Sequence, residues 1–166
     1  MTNTRQEFSG EQLPELVELA MEQARKVSQK IPVLGPVTWL MMQQGATRHS
    51  LISDLEWRVM PPLVLDQAKL YMREQMPLAF VSWARLSPEV AQRYRQAPHR
   101  LAPSDWQSGD QAWIIDLVAP YGGVQDLLND LRNNLLPGQV IHQLAPMPQG
   151  EAKIIKWDAV NPVAAQ

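Results

Sequence analysis

The sequence predicts one mixed α/β domain of the α+β kind, with a helical extension at its N-terminus. Three observations carry that prediction. Leu13, Leu16, Leu19, Ala20, Ala24 and Val27 recur at helical spacing, so Leu13 to Lys30 reads as an amphipathic helix. Two β-rich runs, Leu63 to Met72 and Leu78 to Leu86, flank Glu74-Gln75 and read as an antiparallel hairpin. The later segments mix strands and helices without the regular alternation of a doubly wound sheet. At 166 residues the chain has the length of one ordinary domain. Folding such a chain buries roughly 70% of the surface its unfolded form exposes.

Ser9 or Gly10 offers the first helix an N-cap, with Glu11 and Glu15 near its positive end. The prolines and glycine of "KIPVLGP" then break the pattern. Val37 to Gln43 reads as a second, short helix ending at Gly45. Ser53 to Val59 fits neither period. "SPEVAQRYRQA" is a helix with Ser87 as N-cap and Pro88 at its first position. "PHRLAPSDWQSGDQ" is a loop. "AWIIDLVAP" is a buried strand, apolar on both faces apart from Asp116. Val124 to Leu135 is a helix with Leu127, Leu128, Leu131 and Leu135 on one face. "PGQVIHQLA" and "AKIIKWDAV" are closing strands.

A net charge of −2 argues against general nucleic-acid binding. The absence of cysteine excludes disulfides, thiolate metal sites and a cysteine nucleophile, and fits a reducing compartment. The polar N-terminus lacks the apolar core of a secretory signal. No apolar run approaches the ~18 residues of a membrane span. A cytoplasmic protein is the expectation. The six tryptophans read as core packing.

Asp116 is the residue with most to explain. A carboxylate in an apolar strand costs several kcal/mol of desolvation unless it is paired or hydrogen-bonded. Either it serves chemistry, or a loop amide or an arginine satisfies it. Gly122-Gly123 follows the strand and opens a helix, which suits a phosphate or, more simply, a tight turn. His49, beside Arg48 in "GATRHS", is a candidate base at neutral pH or a solvated loop residue. The three histidines are dispersed without metal-ligand spacing, so no metal site is expected. No serine lies in a nucleophile elbow. The arginines, Arg58 among them, read as scattered surface charge.

Three blocks carry a family resemblance. "LGPVTWLMM" is similar to L-G-x-[VI]-x-W-L-W, and "MPLAFVSWARLS" to x-P-V-A-Y-C-S-W-A-x-L-S. "DWQSGDQAWIIDLVAPYGG" is similar to D-W-x-S-G-D-x-x-W-[FI]-I-D-W-[IV]-A-P-F-G. With them the chain, from Leu34 to Trp157, resembles the RTX-toxin-activating lysine acyltransferases. The resemblance implies an acetyltransferase-like mixed sheet flanked by helices over 34–166, and residues 1–33 are expected to form an extra N-terminal helical extension. It implies transfer of a fatty acyl chain from acyl carrier protein to lysines of an RTX toxin, no bound cofactor, and a homodimer. The family's helical tail finds no counterpart after Trp157, and the N-terminal helix is expected to cover the surface it would cover.

The resemblance also implies a catalytic pair, the His of S-P-x-H-R and the Asp of W-[FI]-I-D-W. The Asp falls on Asp116. The His position falls on Thr47, with Arg48 in register and His49 two residues on. Val81 and Leu117 replace the family's Cys and second Trp. Attack on a thioester needs a neutral lysine, whose amine has a pKa of about 10.4, and therefore a base. A histidine oriented by a carboxylate is such a base. Backbone amides from Ala119 to Gly123, with Gly122 and Gly123 prominent, are candidates to hold the oxyanion or the phosphate of the carrier's arm. Three readings follow. His49 substitutes for the missing His; Asp116 acts alone; or the chain binds toxin or carrier protein without acylating.

Overall fold

The computed structural model describes residues 12–145 and 152–160. Five strands form one sheet in the order β1-β2-β3-β4-β5. They are β1 (Ala68–Arg73), β2 (Met76–Leu86), β3 (Gln111–Val118), β4 (Ile141–Ala145) and β5 (Lys153–Trp157). β3 and β4 are parallel, and every other neighbouring pair is antiparallel. A parallel pair needs a crossover connection. Helix α5 (Val124–Asp130), extended by a π-helical turn over Leu131–Leu135, supplies it. The mixed α/β class read from the sequence is the class observed.

Helix α1 runs without interruption from Gln12 to Gln43. The sequence suggests a break at "KIPVLGP", and the structure corrects it: Pro32 and Pro36 lie inside the helix. Each removes one backbone donor, a cost of roughly 3 kcal/mol in a helix interior. Packing of the last turns offsets it. Val37, Leu40 and Met41 are buried with Val59, Leu63, Phe80 and Val118, and Lys30 Nζ pairs with Asp66 at 2.7 Å. The preceding turns lie open, with Leu13, Leu19, Met21 and Ile31 exposed. The helix also passes through the expected 33/34 boundary unbroken. The N-cap expected at Ser9 or Gly10 lies outside the described residues.

Short helices α2 (Asp54–Arg58) and α3 (Met60–Val64) follow. Leu63 is therefore helical, not the start of a strand. Pro61 and Pro62 occupy the first turn of α3, where their missing N–H groups cost nothing. Asp66, at φ 54°, ends it. The hairpin then forms as the pattern predicts, turning at Glu74 with φ 55°. Helix α4 (Pro88–Tyr94) is capped by Ser87, whose Oγ accepts from the Val90 amide at 3.3 Å.

The sheet is packed on both faces. Ala112 and Ile114 of β3 meet Leu128 and Leu131 on one side. Trp113 meets Val90, Ala91 and Tyr94 of α4 on the other. Buried Gln67 ties three segments together: its amide donates to the Trp83 and Trp106 carbonyls, at 3.1 and 3.0 Å. Gly109 touches the backbone of Leu86 and Ser87 so closely that a Cβ would lie 2.5 Å from Ser87 N and Cα. Among the described residues no helix is long and apolar enough to cross a membrane.

Candidate active site

Three local features bring the site together. The first is a bulge. Ser82 pairs with Asp116 and Trp83 with Ile114, which leaves Ile115 as an extra residue on β3. Strict alternation would put Asp116 on the face of Ala112 and Ile114. The bulge reverses the alternation. Leu117 now packs with the Ile114 cluster, and Asp116 lines a cavity with Tyr94.

The second feature is a parting of strands. β3 and β4 pair only from Ala112↔Ile141 to Ile114↔Gln143. Beyond that point Ile115, Asp116 and Leu117 line one wall of a cavity of about 380 Å³, and Gln143 and Leu144 line another. The third is a clamp. The Gln44 side chain donates to the Leu117 carbonyl at 3.2 Å and accepts from the Ala119 amide at 2.8 Å. It imitates a strand partner and fastens the turn after α1 to the end of β3.

Asp116 is 4% exposed and is held by Arg58, the last residue of α2. Arg58 Nε donates to both carboxylate oxygens, at 2.9 and 2.8 Å, and Nη2 donates to Oδ1 at 2.5 Å. Nη1 reaches Ser50 Oγ at 3.3 Å. Burial works against the guanidinium's charge, but the hydrogen bonds and charge of Asp116 hold its pKa above the ordinary arginine value. The sequence left open whether an arginine satisfies Asp116, and Arg58 does. Nothing local singles out Arg58; the signal was the need of a buried carboxylate for a partner.

Tyr94 is buried beside this pair. Burial first, and then the negative charge of Asp116, raise its hydroxyl above the ordinary phenol value. Trp57 also lines the cavity. Its indole N–H donates to Asp54 at 3.1 Å, and Arg100 lies 5.1 Å over its ring. The Trp57 hydrogen bond, with the Leu51 amide, lowers the Asp54 pKa.

Thr47 lines the cavity and is 4% exposed. Its hydroxyl donates to the Met41 carbonyl at 2.8 Å, so it finishes α1. His49 is exposed on the same turn and does not line the cavity. The bulge needed to carry it to Asp116 is absent; Thr47 fills that place. Arg48 also faces away, beside Met41, Met42 and Leu51. Of the amide cradle expected from Ala119 to Gly123, two amides are engaged in internal bonds and Pro120 has no N–H. The Ala119 amide serves Gln44, and the Gly122 amide donates to the Ala119 carbonyl at 3.1 Å. Gly122 and Gly123, at φ 90° and 80°, form an exposed turn into α5 outside the cavity lining. Their glycine character answers a backbone requirement.

His99 lines the cavity and escaped the sequence reading. It sits after α4 in the left-handed region, φ 56°. Its Nδ1 is 2.9 Å from the Tyr94 carbonyl. His142 lies elsewhere, stacked on Trp113 at 5.0 Å.

The chain belongs to the RTX toxin acyltransferase family, whose profile matches residues 26–158. The match takes in the second half of α1, the site turn and the whole sheet. Among curated relatives, a leukotoxin-activating lysine-acyltransferase of Pasteurella haemolytica-like sp. (strain 5943B) is 38% identical over 99 residues, 60% of each chain. An RTX-III toxin-activating lysine-acyltransferase of Actinobacillus pleuropneumoniae is 30% identical over 138 residues, 82% of this chain and 79% of the relative. A protein-lysine myristoyltransferase of Escherichia coli is 34% identical over 96 residues, 58% of this chain and 56% of the relative. Over the leukotoxin-activating relatives, the chain spans about 60% of the relatives' own length.

Proposed function

We propose that this chain transfers a fatty acyl group from the thioester of acyl carrier protein to lysine side chains of an RTX-type toxin, in the cytoplasm. The observation that carries the reading is the cavity between the parted strands, with Asp116 and Arg58 in its wall. Family membership supports reading that cavity as an acyl-transfer site. Where β3 and β4 part, their backbone groups no longer bond each other. An extended, amide-bearing arm such as phosphopantetheine can add itself to the β4 edge left open there, the end of β3 being held by Gln44. Ile115, Leu117, Leu144 and Trp57 offer apolar surface to the acyl chain.

Thioester aminolysis develops negative charge on the carbonyl oxygen. Arg58 supplies a fixed positive charge at the cavity, and the Tyr94 hydroxyl, held protonated, supplies a donor. These two fill the oxyanion-binding role for which the amides of Ala119 to Gly123 are the sequence candidates. Asp116, with both oxygens engaged by Arg58, is the anchor of that charge.

The test is acylation of a purified RTX substrate by the full chain with fatty acyl carrier protein, read as lysine mass shifts. Acylated lysines are expected. Unmodified lysines refute the proposal, and unmodified lysines with retained toxin binding establish the non-catalytic reading.

A further inference from the structure

We infer that His99 is the general base of this site, in place of a histidine at the motif position that Thr47 holds. The inference rests on the acyl-transfer reading above. Thr47 occupies the motif position, and its hydroxyl is spent on the Met41 carbonyl. Of the three histidines, His49 is exposed outside the cavity, and His142 stacks on Trp113 with Nδ1 3.2 Å from the Ala112 carbonyl. His99 lines the cavity together with Thr47, Asp116, Arg58 and Tyr94.

The tautomer follows from one contact. A carbonyl oxygen only accepts, so His99 Nδ1 carries the proton and donates to the Tyr94 carbonyl at 2.9 Å. Nε2 then bears the lone pair. A second-partner hydrogen bond of this kind fixes which nitrogen is basic and aims the ring. The Tyr94 ring meets the imidazole edge-on at 6.4 Å between centroids. The backbone at φ 56° is unfavourable for a non-glycine residue, and such conformations cluster at functional sites. The other charged or titratable residues that line the cavity are Asp116, Arg58 and Tyr94. Arg100, next in the chain, turns to Asp54 at 3.7 Å.

In the reaction, a neutral lysine Nζ attacks the thioester carbonyl carbon and an N–C bond forms. His99 Nε2 takes one proton from that nitrogen. The tetrahedral intermediate then expels the carrier thiolate by breaking the C–S bond. The imidazolium returns its proton to that sulfur, leaving an amide and a thiol.

The experiment uses the full chain with acyl carrier protein and RTX substrate, in wild-type, His99→Asn, His99→Gly and His49→Ala forms. Asn and Gly both accept the left-handed backbone, and Asn keeps a donor for the Tyr94 carbonyl. The expected result is a 10²- to 10⁴-fold loss of kcat in both His99 variants with little change in KM. Added imidazole should restore part of the His99→Gly rate, which a merely structural role for His99 would not produce. His49→Ala should keep the wild-type rate. Full activity of His99→Asn beside an active wild type overturns this inference alone. An inactive wild type overturns the acyl-transfer reading and this inference with it.

Discussion

Replacing Arg58 by methionine leaves a nearly buried carboxylate without its partner. Asp116 is 4% exposed, whereas Arg58 is 23% exposed and has room to swing outward. Breaking a buried ion pair by removing one partner costs about 3–5 kcal/mol. For a chain of this size each kcal/mol lowers the melting midpoint by about 2–4 °C, so Arg58→Met should melt about 6–20 °C lower. Asp116→Val should cost less, about 1–3 kcal/mol, because the freed guanidinium can hydrate. The double variant should be more stable than Arg58→Met, since no charge is left uncompensated. Urea unfolding of all four proteins closes the cycle, with a coupling of about 2–3 kcal/mol expected. An Arg58→Met cost below about 1 kcal/mol refutes the reasoning. So does a double variant no more stable than Arg58→Met.

Gly109→Ala should destabilise by about 1–3 kcal/mol, because the new Cβ would strike Ser87 and Leu86 backbone that cannot yield without moving the end of β2; an unchanged melting midpoint would contradict this. Asp130 gives a pH dependence. Hydrogen bonds from Lys69, Tyr71 and Asn134 lower its pKa from 3.8 to about 2. Its folded-state pKa is depressed, so its contribution is complete above the unfolded value and is lost as pH falls through about 2. The stability gap between wild type and Asp130→Asn should be about 1 kcal/mol at pH 6, after allowance for solvent screening, and should close between pH 4 and 2.

Local rules made several elements readable. Ser87-Pro88 announces α4 because a cap and a proline act within one turn. The apolar run around Asp116 announces a buried strand because burial on both faces demands it. Local rules failed where packing outweighed them. Pro32 and Pro36 looked like a break, yet the buried turns at Val37 and Leu40 keep α1 intact. Leu63 looked like strand but closes a proline-started helix against Phe80 and Val118.

The site divides the same way. Asp116 was legible because charge within an apolar strand is costly wherever the strand lies. Its partner was not, because Arg58 is 58 residues away on a five-residue helix whose pattern fits no period. His99 read as an ordinary loop residue; its tautomer and its cavity depend on the Tyr94 carbonyl and on strands that part after Ile114. Hydrogen bonding within a turn and periodic burial reach only a few residues along the chain, and they fix helices, strands and the anomaly of one carboxylate. Which charge neutralises it, and which histidine shares its cavity, is settled by a one-residue bulge at Ile115 and by the clamp at Gln44. Both exist only once distant segments are packed.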